Sequence, residues 1–242
     1  MVNGIPSLKP PTSTPTEWSE VERPLLLHLA SMSWQYMPGD IDVPELTERE
    51  NFRQVVLYGR LRDAIKRINA SDGVVDDLTV DRAIRALETT GGQALLEKNR
   101  LITERLIKGV YVESTDPNEK RQRLIRFVEF DPGKQEQNDF LAINQFRVDL
   151  SGRATFVIPD VVLFVNGLPI VVVECKSPSI TDPIGEGLDQ LLRYSNNRYW
   201  VDEDEGIEDL FLFNQIMVVS SFYQARLGTM GAYHEHYLEW KD

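Results

Sequence analysis

The hydrophobic pattern of the chain is dominated by two apolar runs, Val161 to Val165 and Ile170 to Val173, joined through Asn166-Gly167. Asn-Gly between apolar runs is the strongest short-range signal for a β-hairpin. Neither run alternates with polar residues, so both faces of these strands need cover, as in the interior of a sheet. Elsewhere the period is helical. Val21, Leu25, Leu29 and Met32 fall on one face of a helix over Glu17 to Tyr36, with Pro24 tolerable near its first turn. Further helices are predicted over Glu50 to Asn69, Thr79 to Thr89 and Ala94 to Lys108, the last two parted by Gly91-Gly92. They read as a helical insertion spanning about 45–110. Leu188, Leu191 and Leu192 mark a helix over Ile184 to Trp200. Strands are predicted at Gln145 to Leu150, Thr155 to Val165, Leu168 to Lys176 and Gln215 to Ser221, the last two linked by a right-handed helical crossover. The predicted fold class is therefore α/β, a central mixed β-sheet flanked by helices, plus the insertion. Residues 1–16, rich in Pro, Ser and Thr, read as a disordered lead-in to a single domain over 17–242.

Charge brackets the apolar hairpin. Asp160 opens the first run, while Glu174 and Lys176 close the second, two residues apart and so on one face of a strand. Whether Asp160 shares that face depends on register. A two-residue Asn166-Gly167 turn sets Asp160 opposite Val173 and away from Glu174; a three-residue bulged loop over Val165 to Gly167, or a bulge near Pro159, brings the two acids together. Read plainly, Glu174 and Lys176 are a rim ion pair and Asp160 caps a turn. Clustered carboxylates beside a buried strand nevertheless cost several kcal/mol unless a cation compensates them. Two hard oxygen donors suit Mg²⁺, which binds through one or two carboxylates plus substrate phosphate. Lys176 beside an attacking water, or beside charge developing on phosphorus, completes the equipment for phosphodiester hydrolysis.

Pro159-Asp160 followed by Glu174-Cys175-Lys176 resembles the PD-(D/E)xK nuclease motif. A longer set of segments, Asn138 to Phe146, Pro159 to Pro178 and Phe213 to Gln215, is similar to the amino-terminal nuclease region of type I restriction enzyme R subunits, over about Glu17 to Lys241. The resemblance implies a restriction-endonuclease-like core that cleaves double-stranded DNA with Mg²⁺, held by Asp160 and Glu174, with Lys176 at the attacking water. It also implies a longer subunit whose ATP-dependent motor acts with modification and specificity subunits, since no G-x-x-x-x-G-K-[ST] phosphate loop occurs in this sequence. Gln190 and Tyr194, four apart on a helix and within about 6 Å of each other, match the QxxxY motif of the RecB-like branch. In the wider fold an acid from the first helix often joins the metal; Glu22 is the candidate here, with Glu20 close by, and a favourable charge at a helix start is the plain alternative. Tyr58 to Arg62 resembles a segment that recurs in the R-subunit family, with no known chemistry.

Composition narrows the classes. A net charge of -12 argues against a chain that grips DNA unaided, because nonspecific affinity comes from Lys and Arg neutralising phosphates. The basic run Lys120 to Arg126 could face DNA, but its alternation better fits a strand of a hairpin. The single cysteine, Cys175, permits no internal disulfide and fits a reducing, cytoplasmic setting. Neither a signal peptide nor an apolar run of membrane-spanning length is visible, so no membrane partner is expected. His28, His234 and His236 stay outside the site. Two other readings remain open: a non-catalytic docking domain that holds an R subunit on its partners, and a RecB-like repair nuclease.

Overall fold

The computed structural model describes residues 4–7, 10, 12–92, 94–113, 122–150, 152, 155–197 and 206–240. In chain order the elements are α1 (Pro15–Glu17), a π-helical turn (Trp18–Glu22), α2 (Arg23–Ser31), β1 (Gln35–Pro38), α3 (Tyr58–Ile68), α4 (Asp77–Glu88), α5 (Leu95–Lys108), β2 (Val110–Glu113) and β3 (Gln122–Ile125). There follow β4 (Phe140–Asn144), β5 (Val148–Asp149), β6 (Phe156–Val157), β7 (Val161–Val165), β8 (Leu168–Cys175), α6 (Pro183–Tyr194), α7 (Glu208–Phe211), β9 (Ile216–Ser220), β10 (Ala225–Gly228) and β11 (Leu238–Glu239). They divide into two compact units, one of Met1–Val55, Phe140–Phe164 and Pro169–Asp242, the other of Val56–Asp139 and Val165–Leu168.

The first unit is built on a mixed seven-stranded sheet of order β1-β4-β7-β8-β9-β10-β11. Strand β1 runs parallel to β4, and β8 parallel to β9, while β9, β10 and β11 pair antiparallel. The apolar hairpin β7-β8 is thus interior, as its unbroken hydrophobicity requires. On one face Val161, Leu163, Val173 and Cys175 form a core with Trp18, Val21, Leu26 and Leu29 of the first helical stretch. Cys175 is one of these apolar positions, fully in keeping with a small buried hydrophobe. Helix α6 lies against β9, where Gly187 allows the close approach: a Cβ there would stand 2.4 Å from Val219 Cγ1.

Several expectations from the sequence are corrected. The first helix ends at Ser31 rather than Tyr36, and Tyr36 lies in β1. Its opening turns include a π segment ending at Glu22, directly before Arg23 and Pro24, where the missing proline N–H already interrupts the ladder. The helix predicted from Glu50 starts at Tyr58. The central strand is Phe140–Asn144, not Gln145 to Leu150; part of that segment forms β5, which pairs with β6 in a separate two-stranded sheet. Thr155 to Val165 is two strands broken by a bend at Asp160. Within the stretch 1–16, Ile5 and Ser13 are buried. Residues 202–205 of the acidic stretch Asp202 to Asp209, and Lys120 and Arg121, lie outside the described residues.

The second unit holds α3, α4, α5 and the β2-β3 hairpin. Arg123, from the basic run, is buried and donates to the carbonyls of Val74, Asn69 and Gly73, so it serves the fold. The tip of the apolar hairpin belongs here too. Asn166 and Gly167 both have positive φ, 54° and 79°, the signature of a two-residue type I′ turn. Asn166 is fully buried, its side-chain amide donating to Phe127 O and Asn138 Oδ1 and its Oδ1 accepting from the Asp139 N–H. Gly167 O accepts from the Leu57 N–H at 2.9 Å, just before α3. In the Tyr58 to Arg62 segment, Tyr58 donates to Glu88, Arg60 pairs with Asp139 and Arg62 with Asp81, so this segment ties the second unit together.

Candidate active site

The turn at the tip is not the bulged loop, yet Asp160 faces Glu174. Val161 clusters with Val173 rather than with Val172, the partner that a regular ladder from a two-residue turn would give it. The hairpin is therefore irregular by one residue, and side-chain alternation then puts Val162, Glu174 and Lys176 on the face opposite the α2 core. Asp160 sits at a bend just before β7, pinned from two sides: the Cys175 N–H donates to Oδ2 at 2.7 Å and the Gln145 amide to Oδ1 at 3.2 Å. Its backbone carbonyl also accepts from the Gln145 N–H.

Glu174 is 1% exposed. Its Oε1 accepts from Lys176 Nζ at 2.9 Å, whereas its Oε2 is buried with no N–H or hydroxyl donor, and the carboxyl group of Asp160 lies against the Glu174 side chain. Burial, followed by the charge of Asp160, pushes the Glu174 carboxyl well above the usual carboxylate range. Burial likewise raises Asp160, against the opposing pull of Lys176. For Lys176, burial is the largest influence and would lower the pKa, but the carboxylates of Glu174, Asp160 and Glu17 together outweigh it and hold the ammonium above its ordinary value. Lys176 Nζ donates also to Gln190 Oε1 at 2.7 Å, and Gln190 Nε2 donates to the Tyr194 hydroxyl at 2.5 Å. Both positions on α6 are thus joined to the acid pair in one chain of hydrogen bonds. Tyr194 is buried, and its phenol is raised by burial and then by Glu174.

Glu22 is fully buried, while Glu20 is exposed. Its carboxylate accepts from Asn144 Nδ2 at 2.9 Å, Ser13 Oγ at 2.8 Å and Gln145 Nε2 at 3.2 Å. Burial, with Asp160 as a further contributor against these hydrogen bonds, pushes its pKa up to about 7. Sequence reasoning missed Gln145 as a site residue. Its one available signal was position, at the start of the strand predicted over Gln145 to Leu150; its left-handed φ of 50° is uncommon for glutamine and not legible in the chain. His234 pairs with Asp189, away from the acid pair.

Asp160, Glu174, Lys176, Gln190, Tyr194 and Gln145 line a cleft of about 640 Å³. Two carboxylates at its wall, one with a buried oxygen lacking any donor, fit a hard divalent cation. Among the described residues no three His, Cys, Asp or Glu side chains come together as a ready metal cage, so water and substrate oxygens would complete such a shell. Among the described residues, too, no helix is long and apolar enough to cross a membrane.

A mixed central sheet flanked by helices, with this polar cluster at one end of its middle strands, is a restriction-endonuclease-like fold. The chain belongs to the family described as type I restriction enzyme R protein N terminus, whose profile matches residues 15–236. It is 31% identical over 225 residues to the type I restriction enzyme HindI endonuclease subunit of Haemophilus influenzae, covering 92% of this chain and 20% of that protein. Against the putative type I restriction enzyme MjaIXP endonuclease subunit of Methanocaldococcus jannaschii the figures are 29% over 227 residues, 91% and 20%. The type I restriction enzyme SsaAORF53P endonuclease subunit of Staphylococcus saprophyticus is 26% identical over 170 residues, 69% of this chain and 16% of its own. The chain therefore spans a fifth or less of the length of these relatives.

Proposed function

We propose that this chain is the PD-(D/E)xK nuclease region of a type I R subunit, cleaving double-stranded DNA by Mg²⁺-dependent phosphodiester hydrolysis. The observation that carries the reading is the linked set at the end of β8: Lys176 held between Glu174 and Gln190, beside Asp160, with Glu174 Oε2 buried and unsatisfied. Asp160 and Glu174 would hold the cation, which when bound neutralises phosphate charge and acidifies water. The protein residues divide the remaining tasks. Lys176 gives two of its three N–H bonds to Glu174 and Gln190, which aims the ammonium into the cleft, where it orients the attacking water and meets charge developing on phosphorus. Gln190 is in turn fixed by Tyr194, and the pair sets the lysine's direction. ATP would serve only the motor of the full-length subunit, and modification and specificity subunits would supply much of the DNA grip that a net charge of -12 withholds.

Calorimetric titration of Mg²⁺ or Mn²⁺ tests the cation: Asp160→Asn and Glu174→Gln should each abolish or severely weaken binding. In the full-length subunit Lys176→Ala should eliminate cleavage of plasmid DNA carrying the recognition site while ATP hydrolysis and translocation continue. Gln190→Ala and Tyr194→Ala should slow cutting with cation binding retained. Cleavage at the wild-type rate by Lys176→Ala would remove the catalytic assignment and favour a docking role.

A further inference from the structure

The buried acid of the first helical stretch and the acid of the hairpin are joined by a single side chain. Gln145 Nε2 lies 3.2 Å from Glu22 Oε2 and 3.2 Å from Asp160 Oδ1, so one amide nitrogen gives one N–H to each carboxylate. The reverse amide orientation would set oxygen against two carboxylates. The residue is held in place by its own backbone, whose N–H donates to Asp160 O at 2.7 Å and whose φ is left-handed. Glu22, by contrast, has both oxygens engaged by Ser13, Asn144 and Gln145. A carboxylate so occupied is poorly placed to give an oxygen to a cation, and well placed to fix the direction of an amide.

We infer that Gln145 is a positioning residue that orients the Asp160 carboxylate toward Glu174, and that Glu22 acts through Gln145 rather than as a cation ligand. The inference rests on the cation-binding reading given above and assigns a support behind its ligands. Outer partners that orient a ligand carboxylate are worth about ten- to hundred-fold in metal affinity. Glu22 and Gln145 form one support, so their effects on affinity overlap. If Glu22 were a ligand, its loss would weaken binding further even with Gln145 already replaced, although the two side chains touch.

The test is a double-mutant cycle of Gln145→Met and Glu22→Gln, read by calorimetric titration of Mn²⁺ into the cation-free chain, with melting temperature followed in parallel. Gln145→Met keeps the length of the side chain and removes the donor. It should weaken Mn²⁺ binding about ten- to hundred-fold, with Glu22→Gln weaker in effect and the double variant no worse than Gln145→Met alone. A structural role would show in melting temperature without selective loss of affinity. A double variant clearly weaker than Gln145→Met, or Glu22→Gln as damaging as Asp160→Asn, would make Glu22 a ligand and overturn the inference. Wild-type affinity in Gln145→Met, with Asp160→Asn still inactive in binding, would overturn it while leaving the cation site intact. A wild-type chain that binds no Mn²⁺ would remove both.

Discussion

A carboxyl group taken out of water is easier to protonate, even when neutral donors surround it, and Glu22 is in this position. In the unfolded chain its proton leaves near 4.5, and in the fold near 7. Between those values the folded state binds a proton that the unfolded state has released, so stability from this group is complete below 4.5 and is lost as pH rises through about 7. The shift corresponds to about 3 kcal/mol at most. Asp160 and Glu174 are raised as well and add in the same direction. The cation-free protein should therefore melt at progressively lower temperature from about pH 5 to about pH 8. Glu22→Gln should flatten that slope, which scanning calorimetry across the range would measure. A melting temperature that climbs with pH would show the acids to be stabilised in their charged forms.

Among the elements, the β7-β8 hairpin carries the strongest local constraint. Gly167 holds a φ of 79°, and a Cβ there would lie 2.4 Å from Leu57 O and 2.9 Å from Leu61 N. Gly167→Ala is thus strained in its backbone and blocked by backbone atoms at once, and should cost about 1–3 kcal/mol or more. Urea denaturation would read this as a lowered midpoint with an unchanged slope; a neutral result would mean that the turn can change type. This hairpin was legible in the sequence because its cause is local: Asn-Gly dictates the turn, and the period of two puts Glu174 and Lys176 together. Gln190 and Tyr194 were legible for the same reason, one helical turn apart. The face of Asp160 was not, since it depends on one residue of irregularity and a bend at Asp160. Nor was β1, whose half-exposed Gln35 to Pro38 has no strand-like pattern and is defined by parallel pairing with Leu141 to Asn144, far along the chain.

At the scale of the whole molecule, the links of the site differ in how much chain they close. Cys175 and Gln145 reach Asp160 across 15 residues, and Lys176 reaches Gln190 across 14, whereas Glu22 meets Asn144 and Gln145 across 122 and 123. Short closures cost less entropy and form sooner. During folding the two hairpin acids should accordingly confront each other before the first helical stretch has closed over the opposite face of the sheet. At that stage like charge opposes assembly, and the mobile compensator is a dissolved cation. Millimolar Mg²⁺ should speed refolding of the wild-type chain in stopped-flow experiments and leave Asp160→Asn unchanged; a cation effect confined to the unfolding limb would place the meeting of the acids after the barrier. The acid pair would then give the chain a dependence on divalent ions that begins while it is still folding.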